Sequence, residues 1–234
     1  MKTLKDIKDW KEMMNQVVLG DCLDAMKLIS DKCIDLVLTD PPYKIGAKGC
    51  GLAGDRKYLH DITDEKLDKG FDFRVMDEFE RILKTMNLVI FCGRLQIKDF
   101  IDYVYEKDFT WNLICWHKPN PTPLTNNNYL PDTEYIFHIW KDRKLSGDYE
   151  SKKKFYTLSA ESEKFGHPTA KPVYLNYNLI RNGSNEGDVV LDAYSGSGST
   201  LVAAKQLGRN YIGIEISEKY CKIAEQRLRQ DILL

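Results

Sequence analysis

The turn Asp40-Pro-Pro-Tyr43 contains residue types that could do chemistry, and it follows an apolar run, Ile34 to Thr39, of strand length. Two successive prolines fix the backbone and remove two N–H donors, so the turn offers hydrogen-bond acceptors only. The Asp40 carboxylate and the Pro41 carbonyl could each take one hydrogen of an exocyclic amino group and direct the nitrogen lone pair at an electrophile. Tyr43 adds an aromatic face on which a planar base could stack.

A second motif lies near the end of the chain, where Val189 to Thr200 read Val-Val-Leu-Asp-Ala-Tyr-Ser-Gly-Ser-Gly-Ser-Thr. The pattern predicts a buried strand, a glycine turn and the start of a helix. Gly196 and Gly198 let the backbone turn sharply and approach a ligand with no Cβ in the way. Tyr211 to Glu215 predicts the next strand, whose final acid could accept both hydroxyls of a ribose. Together the segments indicate an adenosine-containing ligand at the carboxyl end of a parallel sheet.

Both motifs also have interpretations without chemistry. Asp-Pro-Pro-Tyr can be an ordinary strand-ending turn, and a Gly-x-Gly turn can join a strand to a helix with no ligand bound. A nicotinamide dinucleotide is disfavoured because Leu201 stands where its fingerprint requires a third glycine. A nucleoside triphosphate is disfavoured because no Walker lysine follows the turn.

The elements that must position these motifs alternate along the chain, with apolar runs of strand length separated by amphipathic stretches at helical spacing. The alternation predicts an α/β fold with a doubly wound, mostly parallel sheet and helices on both faces, in one domain spanning residues 1–234. The predicted strands are 34–39, 88–92, 112–116, 135–140, 189–193 and 211–214, and the predicted helices are marked by 75–83, 97–104, 200–207 and 220–228.

The bulk composition narrows the class of protein. The 234 residues are 43% hydrophobic, enough for one sizeable core. Six cysteines without a C-x-x-C pair argue against a zinc site and a disulfide framework, so we expect no metal and a reducing compartment. No signal peptide is recognised and no apolar run approaches the ~20 residues of a membrane span, so we expect a cytoplasmic protein without membrane contact.

Positive charge is local in this chain. The formal net charge of -1 excludes a generally basic protein, so a nucleic-acid interface would need a local cluster of Lys and Arg. Residues 141–164 contain such a cluster, diluted by acids, and charge alone favours a solvated loop over a nucleic-acid interface for this stretch. Residues 44–61 and 118–131 read as long loops, which are uncommon in compact domains unless they are functional or disordered.

The two motifs resemble those of a known family. Asp40-Pro-Pro-Tyr43 and Asp192-Ala-Tyr-Ser-Gly-Ser-Gly198 are similar to the catalytic and cofactor motifs of DNA amino-methyltransferases, and their order resembles the circularly permuted β group. Gly20-Asp21-Cys22 resembles the turn that meets the cofactor's adenine, and His167 to Pro172 the segment that closes over its methionine end. Trp116 to Lys118, followed by Asn120, resembles the segment beside the target base. The resemblance covers residues 20 to about 225.

The resemblance implies the S-adenosylmethionine-dependent methyltransferase fold, S-adenosylmethionine as cofactor, and roles for individual residues. The implied catalytic residues are Asp40, Pro41, Pro42 and Tyr43. The implied cofactor-binding residues are Asp21, Cys22, Asp40, Thr169, Lys171, Asp192, Tyr194, Ser195, Gly196, Ser197, Gly198, Ser199, Thr200, Glu215 and Ile216. The DNA-binding candidates are Lys118, Asn120, Lys152, Lys153 and Lys154, in a short target-recognition insertion at about 118–166.

The implied reaction transfers a methyl group to the amino group of a base flipped out of double-stranded DNA. Carbon-5 methylation of cytosine is rejected because none of the six cysteines follows a proline. Asp40 favours adenine-N6, since cytosine-N4 enzymes of the family more often carry Ser there. Methylation of RNA or of a protein glutamine, and a silent binding module, stay as alternatives. A homodimer and a companion restriction endonuclease are further expectations.

Several residues named by the resemblance keep structural interpretations. Asp21 could be the N-cap of a helix over 23–29. Trp116 could belong to the core, His167 could be a loop residue with no task, and Lys171 could be solvated, although a cation suits a carboxylate-bearing ligand.

Overall fold

The computed structural model describes residues 2–43, 71–121, 129–160 and 170–230. Within them, nine strands form one sheet in the order β1-β2-β9-β8-β3-β4-β6-β5-β7. The strands are β1 Lys2–Thr3, β2 Gln16–Leu19, β3 Leu36–Thr39, β4 Asn87–Cys92, β5 Thr110–His117, β6 Thr133–Trp140, β7 Phe155–Thr157, β8 Val189–Asp192 and β9 Asn210–Glu215.

The sheet is mostly parallel, as predicted. Every neighbouring pair from β1 through β4 is parallel. Beyond β4 the hairpin β5–β6 runs antiparallel, and β7 returns parallel to β5. Strands β6 and β7 fall inside the range 118–166, so part of the predicted insertion belongs to the central sheet. This confirms the α/β class and shortens the stretch left for target recognition.

Helices cover both faces of the sheet, because each strand sends alternate side chains to opposite sides. One core contains side chains of α1, α2 and α3, and the other contains side chains of α4, α5 and α6. In β3, Val37 belongs to the first core, whereas Leu36 and Leu38 belong to the second. The helices are α1 Cys22–Leu28, α2 Arg74–Ile82, α3 Ile97–Glu106, α4 Val173–Gly183, α5 Ser199–Gln206 and α6 Glu218–Arg229.

The sequence prediction omitted helix α4, because polar residues interrupt its apolar pattern. Asn176, Asn178 and Asn182 are all buried in it, and Asn182 donates to the Ser151 carbonyl at 2.6 Å. Burial of an amide is tolerated when it is hydrogen-bonded, so this helix packs despite its composition. In the part of the chain that the structure describes, no helix is long and apolar enough to cross a membrane.

The carboxyl ends of the parallel strands meet at one edge of the sheet, where ligands bind in folds of this kind. Asp40 directly follows β3, Gly93 follows β4, and Asp192 and Glu215 are the last residues of β8 and β9. The Thr39 hydroxyl donates to Asp192 Oδ1 at 2.8 Å and so joins the ends of two neighbouring strands. The predicted catalytic turn and the predicted cofactor motif therefore lie at the same edge.

Candidate active site

The glycine turn between β8 and α5 needs its glycines. Gly196 and Gly198 both have positive φ, at 49° and 80°. A Cβ on Gly198 would lie 2.9 Å from the Ala224 Cβ, so a side chain there is excluded by packing as well as by conformation. The turn and helix α6 are therefore fitted to each other.

Arg227 lies in the last helical turn of α6, is buried, and hydrogen-bonds to the glycine turn between β8 and α5. Its Nη1 donates to the Ser197 carbonyl at 2.8 Å, to Ser197 Oγ at 3.0 Å and to Ser199 Oγ at 3.1 Å. The predicted cofactor contacts of these two serine hydroxyls stay predictions: both hydroxyls accept from Arg227, and each still has an O–H to donate. Sequence reasoning missed Arg227, since a basic residue at a helix end usually faces solvent.

Glu215 shapes the site and keeps acceptor capacity. Its Oε2 accepts from the Gly196 N–H at 2.7 Å and its Oε1 from the Ser217 N–H at 2.8 Å. An ionised carboxylate has about four lone-pair sites, so two backbone bonds leave room for ribose hydroxyls. Ile216 follows with 58% of its surface exposed, which suits an apolar contact with a ligand at this edge.

Asp21 serves as the N-cap of α1, as its structural interpretation predicted. Its Oδ1 alone accepts both capping bonds, from Leu23 N at 2.9 Å and Asp24 N at 3.2 Å. The other carboxylate oxygen makes neither capping bond, so capping and a cofactor contact are compatible. Cys22 is buried, which raises its thiol pKa to about 11 and makes it an unsuitable nucleophile.

Asp192 belongs to the frame of the site. Burial raises the pKa of Asp192 to about 6. The hydrogen bonds from Thr200, Thr39 and the Tyr194 N–H lower this pKa, but burial outweighs them. Thr200 in turn accepts from the buried Asn176 amide at 3.3 Å, which ties the start of α5 to α4. These contacts fix the strand that carries the glycine turn.

The catalytic turn contacts a buried lysine. The Lys171 ammonium donates to Asp40 Oδ2 and lies 3.3 Å from Glu134 Oε2, with only 7% of its side chain exposed. The interpretation of Lys171 as a solvated residue is therefore wrong, because its side chain is buried between two carboxylates. The predicted cofactor contact of Lys171 stays a prediction, and its charge is already shared by two carboxylates.

Glu134 is the second site residue that sequence reasoning missed. It is the second residue of β6, and its Oε2 accepts from the Tyr43 hydroxyl at 3.1 Å. Its Oε1 accepts from the Lys118 ammonium at 3.1 Å. An acid just before an apolar run gives no signal of its own, because its partners come from residues 16 and 91 positions away.

The pKa shifts of this group follow from burial and from the neighbouring charges. Burial raises the pKa of Asp40 despite the attraction of Lys171. Burial would raise the pKa of Glu134 too, but Lys171 and Lys118 outweigh it and the pKa falls below its usual value. Burial opposes the charge of Lys171, yet Asp40 and Glu134 raise its pKa. Burial beside these carboxylates raises the pKa of Tyr43 well above its usual value. Glu134 and Lys171 are thus charged and Tyr43 is neutral near pH 7.

The buried polar atoms without a hydrogen-bond partner in the described structure include, at this edge, Asp40 Oδ1, an acceptor, and Gln96 Nε2, a donor. Gln96 Oε1 accepts from the Gly93 N–H at 3.1 Å, which fixes the orientation of the amide. A Cβ on Gly93 would lie 3.4 Å from both Gln96 Oε1 and Tyr43 Cγ, so the amide and the ring flank this glycine. Buried unpaired atoms are uncommon and costly, and they are expected where a polar ligand binds.

Two of the residues predicted to bind DNA, Lys118 and Asn120, have side chains that contact other residues of the protein. Lys118 pairs with Glu134 and lies 5.6 Å from the Trp116 ring centroid. Asn120 Oδ1 accepts from the Ala160 N–H at 3.0 Å, so its amide closes the base of a loop. Trp116 is 2% exposed and belongs to the core, as its structural interpretation predicted.

The lysine triplet stays a candidate for DNA contact. Lys152 is exposed, Lys153 pairs with the exposed Glu150, and Lys154 lies 3.4 Å from the Asn112 side-chain oxygen. Exposed pairs of this kind are weak enough for phosphates to replace them. Thr169 and His167 lie outside the described residues.

Comparisons with proteins of known sequence show the family of this chain. The family model described as DNA methylase matches residues 34–226. The Type II methyltransferase M.HinfI of Haemophilus influenzae is 32% identical over 251 residues, which cover 94% of this chain and 69% of that protein. The Type II methyltransferase M2.LlaDCHI of Lactococcus lactis subsp. cremoris is 30% identical, with 95% and 93% covered.

Solved structures show the same architecture. The M1.HpyAVI-SAM complex has a TM-score of 0.69 and 27% identity, covering 92% of this chain and 99% of that one. The cytosine-N4-specific PvuII DNA methyltransferase has a TM-score of 0.70 at 17% identity, covering 93% and 87%, and supports the fold. This chain belongs to the N6/N4 DNA methyltransferases, whose methyl donor is S-adenosylmethionine.

Proposed function

We propose that this chain methylates the N6 amino group of adenine in double-stranded DNA. The observation that carries the proposal is Asp40 Oδ1, a buried acceptor at the end of β3 that has no hydrogen-bond partner among the described residues. An amino hydrogen is the group that such an acceptor lacks, and an unsatisfied buried acceptor costs ~1 to 3 kcal/mol until one arrives. The unpaired Gln96 Nε2 could donate to a ring nitrogen of the same base.

The residues at the sheet edge fit S-adenosylmethionine. The turn at Gly196 and Gly198 exposes main chain without Cβ atoms, and the buried Ser195 hydroxyl in it has no partner in the ranges that the structure describes. Glu215 has acceptor capacity for the ribose, and Asp21 lies next to it, since the Gly20 N–H donates to the Glu215 carbonyl at 2.9 Å. When bound, the cofactor supplies an electrophilic methyl group on a sulfonium.

The chain's own residues would orient the target. The base must leave the duplex, because its amino group is paired and stacked there. Asp40 Oδ1 and the Pro41 carbonyl would each take one amino hydrogen, leaving the nitrogen lone pair free to attack. Tyr43 is held by Glu134 and lies with its ring centroid 5.5 Å from the Lys171 ammonium, so the base would stack on a ring of fixed orientation. No covalent intermediate with the protein is required.

Adenine is preferred over cytosine because Asp40 occupies the position where cytosine-N4 enzymes of the family more often carry Ser. A shared fold with the cytosine-N4-specific PvuII enzyme does not decide the base, since 17% identity supports the fold alone. The cytosine-N4 reaction therefore stays the second candidate. It uses the same acceptors and differs only in the base admitted.

We further propose that this chain acts in a restriction-modification system with a companion endonuclease. The support is that the similar proteins M.HinfI and M2.LlaDCHI are Type II methyltransferases. Double-stranded DNA would contact the lysine triplet 152–154. A homodimer stays a prediction, and sedimentation with and without DNA would test it.

The test combines transfer with identification of the product. Purified protein, tritiated cofactor and unmethylated DNA should yield N6-methyl-2′-deoxyadenosine in the nucleoside digest, as identified by mass spectrometry. Detection of N4-methylcytosine would refute the adenine assignment but would agree with membership of the N6/N4 DNA methyltransferase family. Cofactor binding without transfer to either base would favour a silent module. Asp40→Ala is the control for a contaminating enzyme, because it should bind cofactor and transfer nothing.

A further inference from the structure

Lys118 and Glu134 lie at the same end of the β5–β6 hairpin, on either side of the segment that connects the two strands. Lys118 directly follows β5, and its N–H donates to the Asp132 carbonyl at 2.6 Å just before β6 begins. Trp116 pairs with Glu134 in the register of the two strands. The loop between them lies in the segment predicted to recognise the target. Glu134 therefore lies where that segment joins the sheet.

Glu134 also reaches three side chains from three other segments. Its Oε1 accepts from Lys118 at 3.1 Å, and its Oε2 accepts from Tyr43 at 3.1 Å and lies 3.3 Å from the Lys171 ammonium. Its side chain is 19% exposed, so water screens these contacts only partly. Through Lys171 the contacts continue to Asp40 Oδ2.

The charges of this cluster, defined as Asp40, Lys118, Glu134 and Lys171, balance as two cations and two anions. In a mostly buried cluster, removal of one charge leaves its partner uncompensated, which costs far more than removal of an exposed charge. Without the charge of Glu134, Lys171 would have Asp40 as its single carboxylate partner within the cluster. The ammonium, which already donates to Asp40 Oδ2, would then shift toward the second Asp40 oxygen, which has no partner among the described residues.

We propose that Glu134 is a positioning residue for methyl transfer: it shares the Lys171 ammonium with Asp40 and holds the Tyr43 hydroxyl, so that one oxygen of Asp40 is kept open for the target amine. The inference rests on the proposed function, since it assumes that Asp40 receives the amine. Glu134 itself would touch neither the base nor the cofactor. Its effect on the rate is exerted through Lys171 and Tyr43.

The charges around Asp40 determine in which direction its pKa should change when the charge of Glu134 is removed. Asp40 faces Lys171 from the segment before α4, Glu134 from β6, Tyr43 from its own turn, Cys92 from the end of β4 and Asp192 from the end of β8. The Glu134 charge repels a second negative charge, so its removal should lower the pKa of Asp40. If transfer requires ionised Asp40, the acid limb of the rate profile should move to lower pH.

The experiment compares Glu134→Gln with the full-length wild type in single-turnover transfer from pH 5 to 9. Misplacement of a catalytic group by about 1 Å can cost on the order of a hundredfold, so we expect a loss of about that size. We also expect an acid limb displaced to lower pH and an unchanged cofactor Kd. Glu134→Asp keeps the charge and should recover part of the rate with the wild-type acid limb.

Glu80→Gln is the matched control. Glu80 also accepts from a tyrosine hydroxyl, Tyr103 at 2.6 Å, and pairs with a lysine, Lys107 at 3.0 Å, but it lies on α2 away from the site. This substitution removes the same charge from the same type of contact. Rate and pH profile should stay as in the wild type.

A Glu134→Gln enzyme with the wild-type rate, or with a lower rate and an unmoved acid limb, would overturn the proposal. If Glu134→Gln does not fold, Glu134→Asp decides. A folded Glu134→Asp enzyme whose transfer rate is still about a hundredfold below that of the wild type would count against the proposal. Carbon-13 NMR of the aspartate carboxyl groups, with Asp40→Asn to assign the signal, reads the pKa of Asp40 without turnover. An unshifted Asp40 in Glu134→Gln would therefore refute the inference even if the wild type transferred no methyl group, a result that would refute the proposed function separately.

Discussion

The Arg227 guanidinium donates to the Ser197 carbonyl at 2.8 Å, so the last turn of α6 holds the glycine turn that begins α5. Two serine hydroxyls complete the contact at 3.0 and 3.1 Å. A charged donor inside the protein is stable only while its acceptors stay in place. The turn that would receive the cofactor is thus fixed before any ligand binds.

Arg227→Met should destabilise the protein and weaken cofactor binding together. The substitution leaves the Ser197 carbonyl and two hydroxyls without their donor, which should cost at least about 2 kcal/mol of unfolding free energy. Urea unfolding and calorimetry of cofactor binding measure the two effects. Arg229→Met is the control, because Arg229 is 80% exposed in the same turn and its pair with Glu225 spans 3.7 Å. Equal unfolding free energies and equal cofactor affinities in the two variants would contradict the role of Arg227 in holding the glycine turn.

Glu215→Ala should weaken cofactor binding by about one to two decades, since a hydrogen bond to a charged group contributes ~1.5 to 3 kcal/mol. The loss has two sources. Ribose hydroxyls lose an acceptor, and the Gly196 N–H loses the bond of 2.7 Å that shapes the turn. Glu215→Gln separates them, because an amide oxygen can still accept from Gly196 while the charge is gone. Unchanged cofactor affinity in both variants would remove Glu215 from the site.

The glycine turn and the catalytic turn could be predicted because each is contiguous in sequence. Strand, turn and following helix are read within about a dozen residues, and Gly196 and Gly198 carry their own conformational signal. Glu134 and Arg227 could not be predicted in this way. Their roles arise from contacts with residues 91 and 30 positions away, which only the packed sheet brings together. Helix α4 was missed for a related reason, since its buried asparagines find partners only in the tertiary structure.

Replacing Lys152, Lys153 and Lys154 by Ala should flatten the salt dependence of DNA binding. Each lost phosphate contact lowers the slope of log K against log salt by ~0.9. Lys153 already pairs with Glu150, so its phosphate contact must replace an exposed ion pair. Fluorescence anisotropy of labelled duplex DNA between low and moderate salt gives the slope. An unchanged slope would favour the interpretation of this stretch as a solvated loop.

Stability should fall with acidification because of His138. Burial lowers its pKa to about 4, from 6.5 for an exposed imidazole, and its Nε2 lies 3.3 Å from Asn87 Oδ1. The unfolded chain binds the proton more readily, so the contribution is complete above pH 6.5 and is lost as pH falls toward 4. The loss is about 3 kcal/mol for a shift of this size. Asp192, whose pKa burial raises to about 6, acts in the opposite direction over part of this range.

Urea unfolding of wild type and His138→Gln at pH 7 and pH 4.5 isolates the histidine. The glutamine amide can still donate to Asn87 but does not titrate, so the Asp192 contribution is the same in both proteins. The difference in unfolding free energy between wild type and variant should therefore shrink or reverse at pH 4.5. A difference independent of pH would show that His138 does not stay neutral in the fold.

Asp40→Asn separates chemistry from binding at the catalytic turn. Lys171 donates to Asp40 Oδ2, and an amide can meet that ammonium only with its oxygen. The amide nitrogen would then occupy the place of Oδ1 and present a donor where an amino hydrogen must be received. Removal of one preorganised polar partner of a transition state costs ~2.7 to 4 kcal/mol, on the order of a hundred- to a thousandfold in rate. Cofactor affinity should stay, because Glu215 and the glycine turn are untouched.

The pH profile gives Asp40→Asn a second, independent readout. Burial raises the pKa of Asp40, so the wild-type rate should fall on acidification at a pH above the ordinary value for aspartate. The residual rate of the variant should lack that acid limb, since nothing titrates at position 40. Asp35→Asn is the control: Asp35 accepts from Lys84 at 2.8 Å just before the same strand begins, at the opposite edge of the sheet. Near-normal transfer by Asp40→Asn, or an acid limb that persists in it, would show that the target amine is received elsewhere.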